Sequence, residues 1–138
     1  MTPCPFCEVI AGRADGHVVL DDEVAVAFLD RRPVFKGHVL VVPRRHVVTL
    51  PDLDPRDVDG LFRRVQLIAA AMPDALGCDG TFVAINNVVS QSVAHLHVHV
   101  VPRRRKDGLR GFFWPRTTYA DAADAERYAG PLRAALSR

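Results

Sequence analysis

The stretch "SQSVAHLHVHVVPRR", Ser90 to Arg104, decides how this chain is read. It places three of the six histidines, His95, His97 and His99, at every second position among apolar residues. On a β-strand successive side chains point to opposite faces, so the three imidazoles share one face while Leu96, Val98 and Val100 share the other. Neighbouring rings would then follow one another at about 6.5 to 7 Å. Three imidazoles on one face are not ordinary core packing, because each buried ring needs a partner for both nitrogens. Two chemistries use such a row. One is a metal site completed by a further ligand elsewhere. The other is nucleophilic catalysis, in which one neutral imidazole attacks while its neighbours orient it or supply hydrogen bonds. Spacing alone does not separate them.

The flanks add context. Upstream, "NNVVSQSV" offers Asn86, Ser90, Gln91 and Ser92, neutral donors suited to phosphate oxygens. Downstream, Arg103, Arg104, Arg105, Lys106, Arg110 and Arg116 suggest a basic rim that would attract an anion. Further out, "HVVLDDEVAVAFLD" reads as two strands, His17 to Leu20 and Val24 to Leu29, joined through Asp21-Asp22, and "GHVLVVPRRHV" as a third ending near Pro43. In "DLDPRDVDGLFRRVQLIAAAM", Asp54 can cap a helix with Pro55 at its first position. Val58, Leu61, Phe62, Val65, Ile68 and Ala69 give that helix one apolar face. "TFVAIN" and "AHLHVHVVP" supply two more strands, and "YADAADAERYAGPLRAALSR" a C-terminal helix broken or bent around Gly130-Pro131. Strands with one main helix between them, and no βαβ rhythm, predict an α+β fold with an antiparallel sheet.

Composition sets the bounds. The chain has 138 residues, enough for one domain with a core, and we expect a single domain whose core spans about 4–105, with a C-terminal extension from about 106 to 138. Lys and Arg number 18 against 16 Asp and Glu, so charge balance demands neither a nucleic-acid nor a membrane partner. No basic-then-apolar leader opens the sequence and no apolar run approaches a membrane span, so a cytoplasmic location is expected. Three cysteines in a reducing compartment do not predict a disulfide framework.

The row "HLHVHVV", together with "CPFCEVI", "AFLDRRPVFKGHVLVVPRRH" and "SQSVAHLHVHVVPR" in that order, resembles the histidine triad family of nucleotide hydrolases and transferases. The resemblance implies a five-stranded antiparallel sheet, a homodimer, and attack by His97 on the α-phosphorus of a purine nucleotide to give a covalent nucleotidyl-histidine. By position it implies that His99 contacts the phosphate or leaving group and that Asn86, Gln91 and Ser92 hold phosphate oxygens. It further implies that Asp30 binds the ribose hydroxyls, with Phe6, Val9, Phe28 and Leu29 around the base. The segment from Asn86 to His95 is shorter than in many relatives, which leaves Asn86 or Asn87 for the phosphate. Ala94 is small where relatives are bulkier. The implied mechanism needs no catalytic metal. "GFFWPR", Gly111 to Arg116, resembles the phosphoramidase branch, whereas the tail from Thr117 does not, so dinucleoside polyphosphates and nucleoside phosphoramidates both stand as substrates. Two other readings are a nucleotide-binding regulatory module without turnover and a metalloenzyme holding its catalytic metal on the histidine row.

Cys4 and Cys7 have the Cys-x-x-Cys spacing of a zinc site, which would need two more ligands; a redox pair and simple packing are the competing readings. The resemblance implies a structural zinc completed by His46 and His95. That assignment divides the histidine row between two jobs. Cys78 reads as a small packed residue, and His17 and His38 are given no catalytic role.

Overall fold

Apolar residues run without interruption through "AVAFL" and "VLVVP", the pattern of strands covered on both faces. The computed structural model describes residues 3–110 and 116–137. In chain order its elements are α1 (Pro5–Ile10), β1 (Val18–Asp21), β2 (Ala25–Leu29), β3 (Val39–Pro43), a 3-10 turn (Leu50–Asp52), α2 (Pro55–Leu76), β4 (Gly80–Ala84), β5 (Val98–Arg103) and α3 (Ala122–Leu136). The five strands form one sheet in the order β1-β2-β3-β5-β4, with every neighbouring pair antiparallel. The α+β expectation holds.

Both faces of the sheet are covered. On one, Ala25, Ala27, Val39, Val41, Leu96, Val98 and Val100 pack with Leu61, Val65 and Met72 of α2. On the other, Val26, Phe28, Leu40 and Val42 pack under Phe6 of α1. The two faces alternate along β2 and β3 as the period of two requires.

Helix α2 starts where the sequence predicts, with Asp54 accepting from Arg56 N–H and Pro55 in the first turn. It continues one turn beyond Met72, through Pro73, to Gly77, whose φ of 68° supplies the left-handed cap. Val58, expected on the apolar face, is exposed. Helix α1 carries no apolar periodicity long enough to foretell it; Cys4 caps it by accepting from Cys7 N–H, and Pro5 occupies its first position.

The chain divides into two compact units, Met1–Asp107 and Gly108–Arg138. The second holds α3, which runs unbroken through Pro131 where the sequence suggested a break. The preceding Gly130 has no Cβ to conflict with the proline ring. Residues 111–115 of the "GFFWPR" segment lie outside the described residues. No described helix is long and apolar enough to cross a membrane.

Candidate active site and metal centre

The alternation at His95, His97 and His99 survives, but the ladder does not reach all three. Strand β5 begins at Val98, so only His99 is within it, opposite Leu40 of β3 and Ala84 of β4. Ahead of it Leu96 N–H donates to Val47 O at 2.7 Å, which holds the approach in place without strand pairing. The chain is therefore free to deviate from ideal pleat, and the His97 and His99 ring centroids are 4.9 Å apart, closer than a regular strand would set them. Phe6 stands edge-on to His97 at 5.0 Å and to His95 at 6.0 Å.

Hydrogen-bond partners assign the tautomers. His97 Nδ1 lies 2.7 Å from the His95 carbonyl, which only accepts, so in the neutral ring the proton sits on Nδ1 and the lone pair on Nε2. His38 Nδ1 accepts from Val34 N–H at 3.1 Å, which puts the proton of His38 on Nε2. That N–H donates to His99 Nδ1 at 3.0 Å, so His99 presents its own N–H at Nε2. A backbone amide thus sets, through two rings, which nitrogen of His99 carries its proton. Burial is the main cause that lowers His38, reinforced by His97 and opposed by the Asp30 carboxylate. Burial, then His97 and His38, lower His99 to about 4 against the pull of Asp30. Both rings are neutral at physiological pH.

His97 and His99 face a cavity of about 890 Å³. Of the residues that the sequence put around a nucleotide, Phe6, Val9, Phe28, Leu29, Asp30, Ser92, His97 and His99 line it. Asn86 and Gln91 do not. Gln91 is used as a brace: its Oε1 accepts from Val88 N–H at 2.9 Å and its Nε2 donates to Val48 O at 2.6 Å. Asn87 Oδ1 accepts from Leu50 N–H, while Asn86 is exposed beyond the end of β4. Val88 and Ser90 in this loop have φ of 70° and 63°, a left-handed conformation that a β-branched valine adopts only under constraint.

Two expectations change. Arg103, Arg104 and Arg105 do not rim the histidines. They lie at the far end of β5, about 20 Å along the strand from His97. There Arg103 is bound to Asp107, Arg104 donates to Leu76 O and the Arg105 amide donates to Asp79. His38, given no role from sequence, is buried and paired with His99. The signal missing from the sequence is the β3–β5 pairing, which joins residues 61 positions apart.

Behind the row a second cluster forms. Cys4, Cys7, His46 and His95 bring one donor atom each within 4.8 Å of one another. Bonds of about 2.3 Å to sulfur and about 2.0 Å to nitrogen give a zinc tetrahedron edges of about 3.3 Å between nitrogens and about 3.5 Å between nitrogen and sulfur. The protein has His46 Nδ1 to His95 Nδ1 at 3.1 Å, Cys7 Sγ to His46 Nδ1 at 3.3 Å, and both sulfurs 3.5 Å from His95 Nδ1. His95 Nε2 donates to Pro43 O at 3.0 Å, leaving the Nδ1 lone pair for the cluster, as a metal ligand requires. Burial and the neighbouring Cys4 push the Cys7 thiol up to about 11, a bias that a bound cation would reverse. Asp30, His38 and His99 also converge, but Val34 N–H on Nδ1 keeps a proton on His38 Nε2, so that trio is not a matched metal site.

The family of HIT domains matches residues 11–106, more than half of the chain. The chain belongs to the HIT family. It is 40% identical over 109 residues to an uncharacterized HIT-like protein of Mycobacterium tuberculosis, covering 78% of this chain and 76% of that one. It is 32% identical over 108 residues to the adenylylsulfatase HINT3 of Arabidopsis thaliana, covering 77% of this chain and 55% of that one. This HIT chain also superimposes on a zinc-bound histidine triad family protein of Mycobacterium smegmatis with a TM-score of 0.74 and 34% identity, covering 98% and 97% of the two chains.

Proposed function

We propose that this HIT protein is a nucleotide hydrolase or transferase that attacks the α-phosphorus of a purine nucleotide through His97. The observation that carries this reading is the fixed tautomer pair, with the lone pair on His97 Nε2 and the N–H on His99 Nε2, on two rings 4.9 Å apart that both line a cavity large enough for a nucleotide. In the proposed reaction His97 Nε2 bonds to phosphorus as the bond to the leaving group breaks. His99 donates a hydrogen bond to the departing atom or the phosphoryl oxygen; being neutral, it serves as a donor rather than as a cationic acid. Water then displaces His97 from phosphorus and releases the nucleoside monophosphate. Ser92 is proposed to hold a phosphate oxygen, Asp30 the ribose hydroxyls, and Phe6, Val9, Phe28 and Leu29 the base, a reading supported by all six lining the same cavity. Gln91 and Asn87 support the phosphate side by bracing its loop, and Asn86 lies outside the cavity lining.

Among the described residues Arg31 is the one arginine or lysine lining the cavity. This favours a leaving group of low charge, such as the amine of a phosphoramidate or the sulfate of an adenylyl sulfate, over a polyphosphate. Relationship to an adenylylsulfatase adds weight to the second. Cys4, Cys7, His46 and His95 are proposed to hold a structural zinc, which when bound cross-links the N-terminal segment to the catalytic strand; the chemistry itself uses no metal. The free cysteines suit a cytoplasmic setting, and the working unit is proposed to be a homodimer.

The test is AMP release from adenosine phosphoramidate, adenylyl sulfate and diadenosine tetraphosphate without added metal, by wild type and by His97→Ala. Wild type is expected to release AMP, fastest from the first two, and the variant to lose at least about a thousandfold. Release that survives the substitution would remove His97 as nucleophile. No release from any of the three would favour a nucleotide-binding module.

A further inference from the structure

We infer that Cys4 and Cys7 form a reversible thiol-oxidation site whose redox state controls the nucleotide cavity. The inference rests on the zinc reading above and adds regulation to it.

Three observations connect the pair to the chemistry. First, both cysteines are half-buried rather than enclosed, with His46, the partner of Cys7, exposed, so a small oxidant reaches them; the third cysteine, Cys78, is buried in the core. The two sulfurs are within 4.8 Å of one another, close enough to bond with small side-chain rotations. Second, both sulfurs converge on His95 Nδ1 at 3.5 Å, and the carbonyl of that same residue holds the Nδ1 proton of His97 at 2.7 Å. One residue is thus the metal ligand through its ring and the tautomer lock of the nucleophile through its backbone. Third, Phe6 sits between the two cysteines in α1, lines the cavity and packs edge-on against the His97 ring.

With a peroxide as oxidant, one thiolate attacks a peroxide oxygen, breaking the O–O bond and giving a sulfenic acid and hydroxide; the second thiolate then displaces hydroxide from that sulfur to form the disulfide. Two electrons leave the sulfurs and reduce the peroxide to two hydroxides. The disulfide no longer offers thiolate ligands, so the metal departs. His95 loses one of the two restraints on its ring, keeping only the hydrogen bond to Pro43 O, so its carbonyl fixes His97 less firmly, and α1 loses the anchor at its N-terminal end. A thiol reductant and zinc reverse the sequence.

The experiment uses the full chain loaded with zinc and quantified for metal before treatment. Hydrogen peroxide is added in steps while a metallochromic indicator follows zinc release, peptide mass mapping follows the Cys4–Cys7 peptide with Cys78 as internal reference, and AMP affinity and AMP release are measured. Zinc is expected to leave in step with a loss of two hydrogens from the Cys4–Cys7 peptide while Cys78 stays reduced. AMP affinity or turnover should fall about tenfold and return with dithiothreitol and zinc. Zinc retained with both thiols reduced after Cys78 has oxidised would overturn the switch, as would zinc loss that leaves AMP affinity and turnover unchanged. A chain that takes up no zinc would overturn the metal reading and the switch with it. A chain that binds AMP but turns over no substrate would refute the proposed hydrolase while the affinity arm still tests the switch.

Discussion

At the scale of single residues, the proposed reaction turns on which ring nitrogen carries a proton. His38 touches His99, and in that reaction it would act only through His99, as a positioning residue. His38→Ala is expected to lower kcat roughly a hundredfold while KM changes less than about threefold. His38→Gln, whose amide N–H can reach the same nitrogen, should recover part of the loss. Equal losses in both variants, or a change confined to KM, would refute the relay. The same pair sets a pH dependence. His38 and His99 are held neutral in the fold, faced by His97 and by Asp30, and their folded-state pKa values lie below those of the unfolded chain. As pH falls below about 6.5 the unfolded chain takes up these protons first, so stability is intact above that point and is lost as pH falls toward about 4. Melting temperature should fall between pH 7.5 and 5, before most carboxylates titrate. A flat profile over that range would contradict the neutral assignment.

At the scale of elements, α1 is six residues long and too short to persist in isolation. It is held at its N-terminal end by the cysteine cluster and in its middle by Phe6, which is buried against Val26, Phe28, Leu40 and Val42. Removing metal should therefore loosen α1 before the sheet. Treating the zinc-loaded chain with a chelator is expected to speed tryptic cleavage after the exposed Arg13 several-fold before cleavage rises after the half-buried Arg64 inside α2, which packs on the sheet, as read by timed mass spectrometry. Uniform acceleration across the chain would show instead that the metal supports the whole fold. Strand β5 is the other element with two duties, Val98 and Val100 packing with α2 while the opposite face carries His99.

At the scale of the whole molecule, β4 is an edge strand whose one described neighbour is β5, and Val83 on it is 43% exposed. An open edge of this kind is where the proposed homodimer would continue the sheet. Sedimentation should find a dimer for wild type and a monomer for Val83→Lys; a wild-type monomer at micromolar concentration would remove the dimer.

The sequence by itself determined the α+β class, the alternation that separates Leu96, Val98 and Val100 from the three histidines, and the Cys-x-x-Cys pair, because period and spacing are local properties of the chain. It also placed eight of the proposed nucleotide-site residues on one cavity, through their order along a recognisable pattern. Tertiary structure alone decided the rest. Pairing of β3 with β5 brought His38 onto His99, and a turn at Val34 chose its tautomer. The direction of β5 took the arginines away from the site that their nearness in sequence had suggested. Gln91, chemically fit for phosphate, was spent on Val48 and Val88 because the strained loop needed its amide. Each of these depends on contacts between residues distant in the chain, which no local pattern encodes.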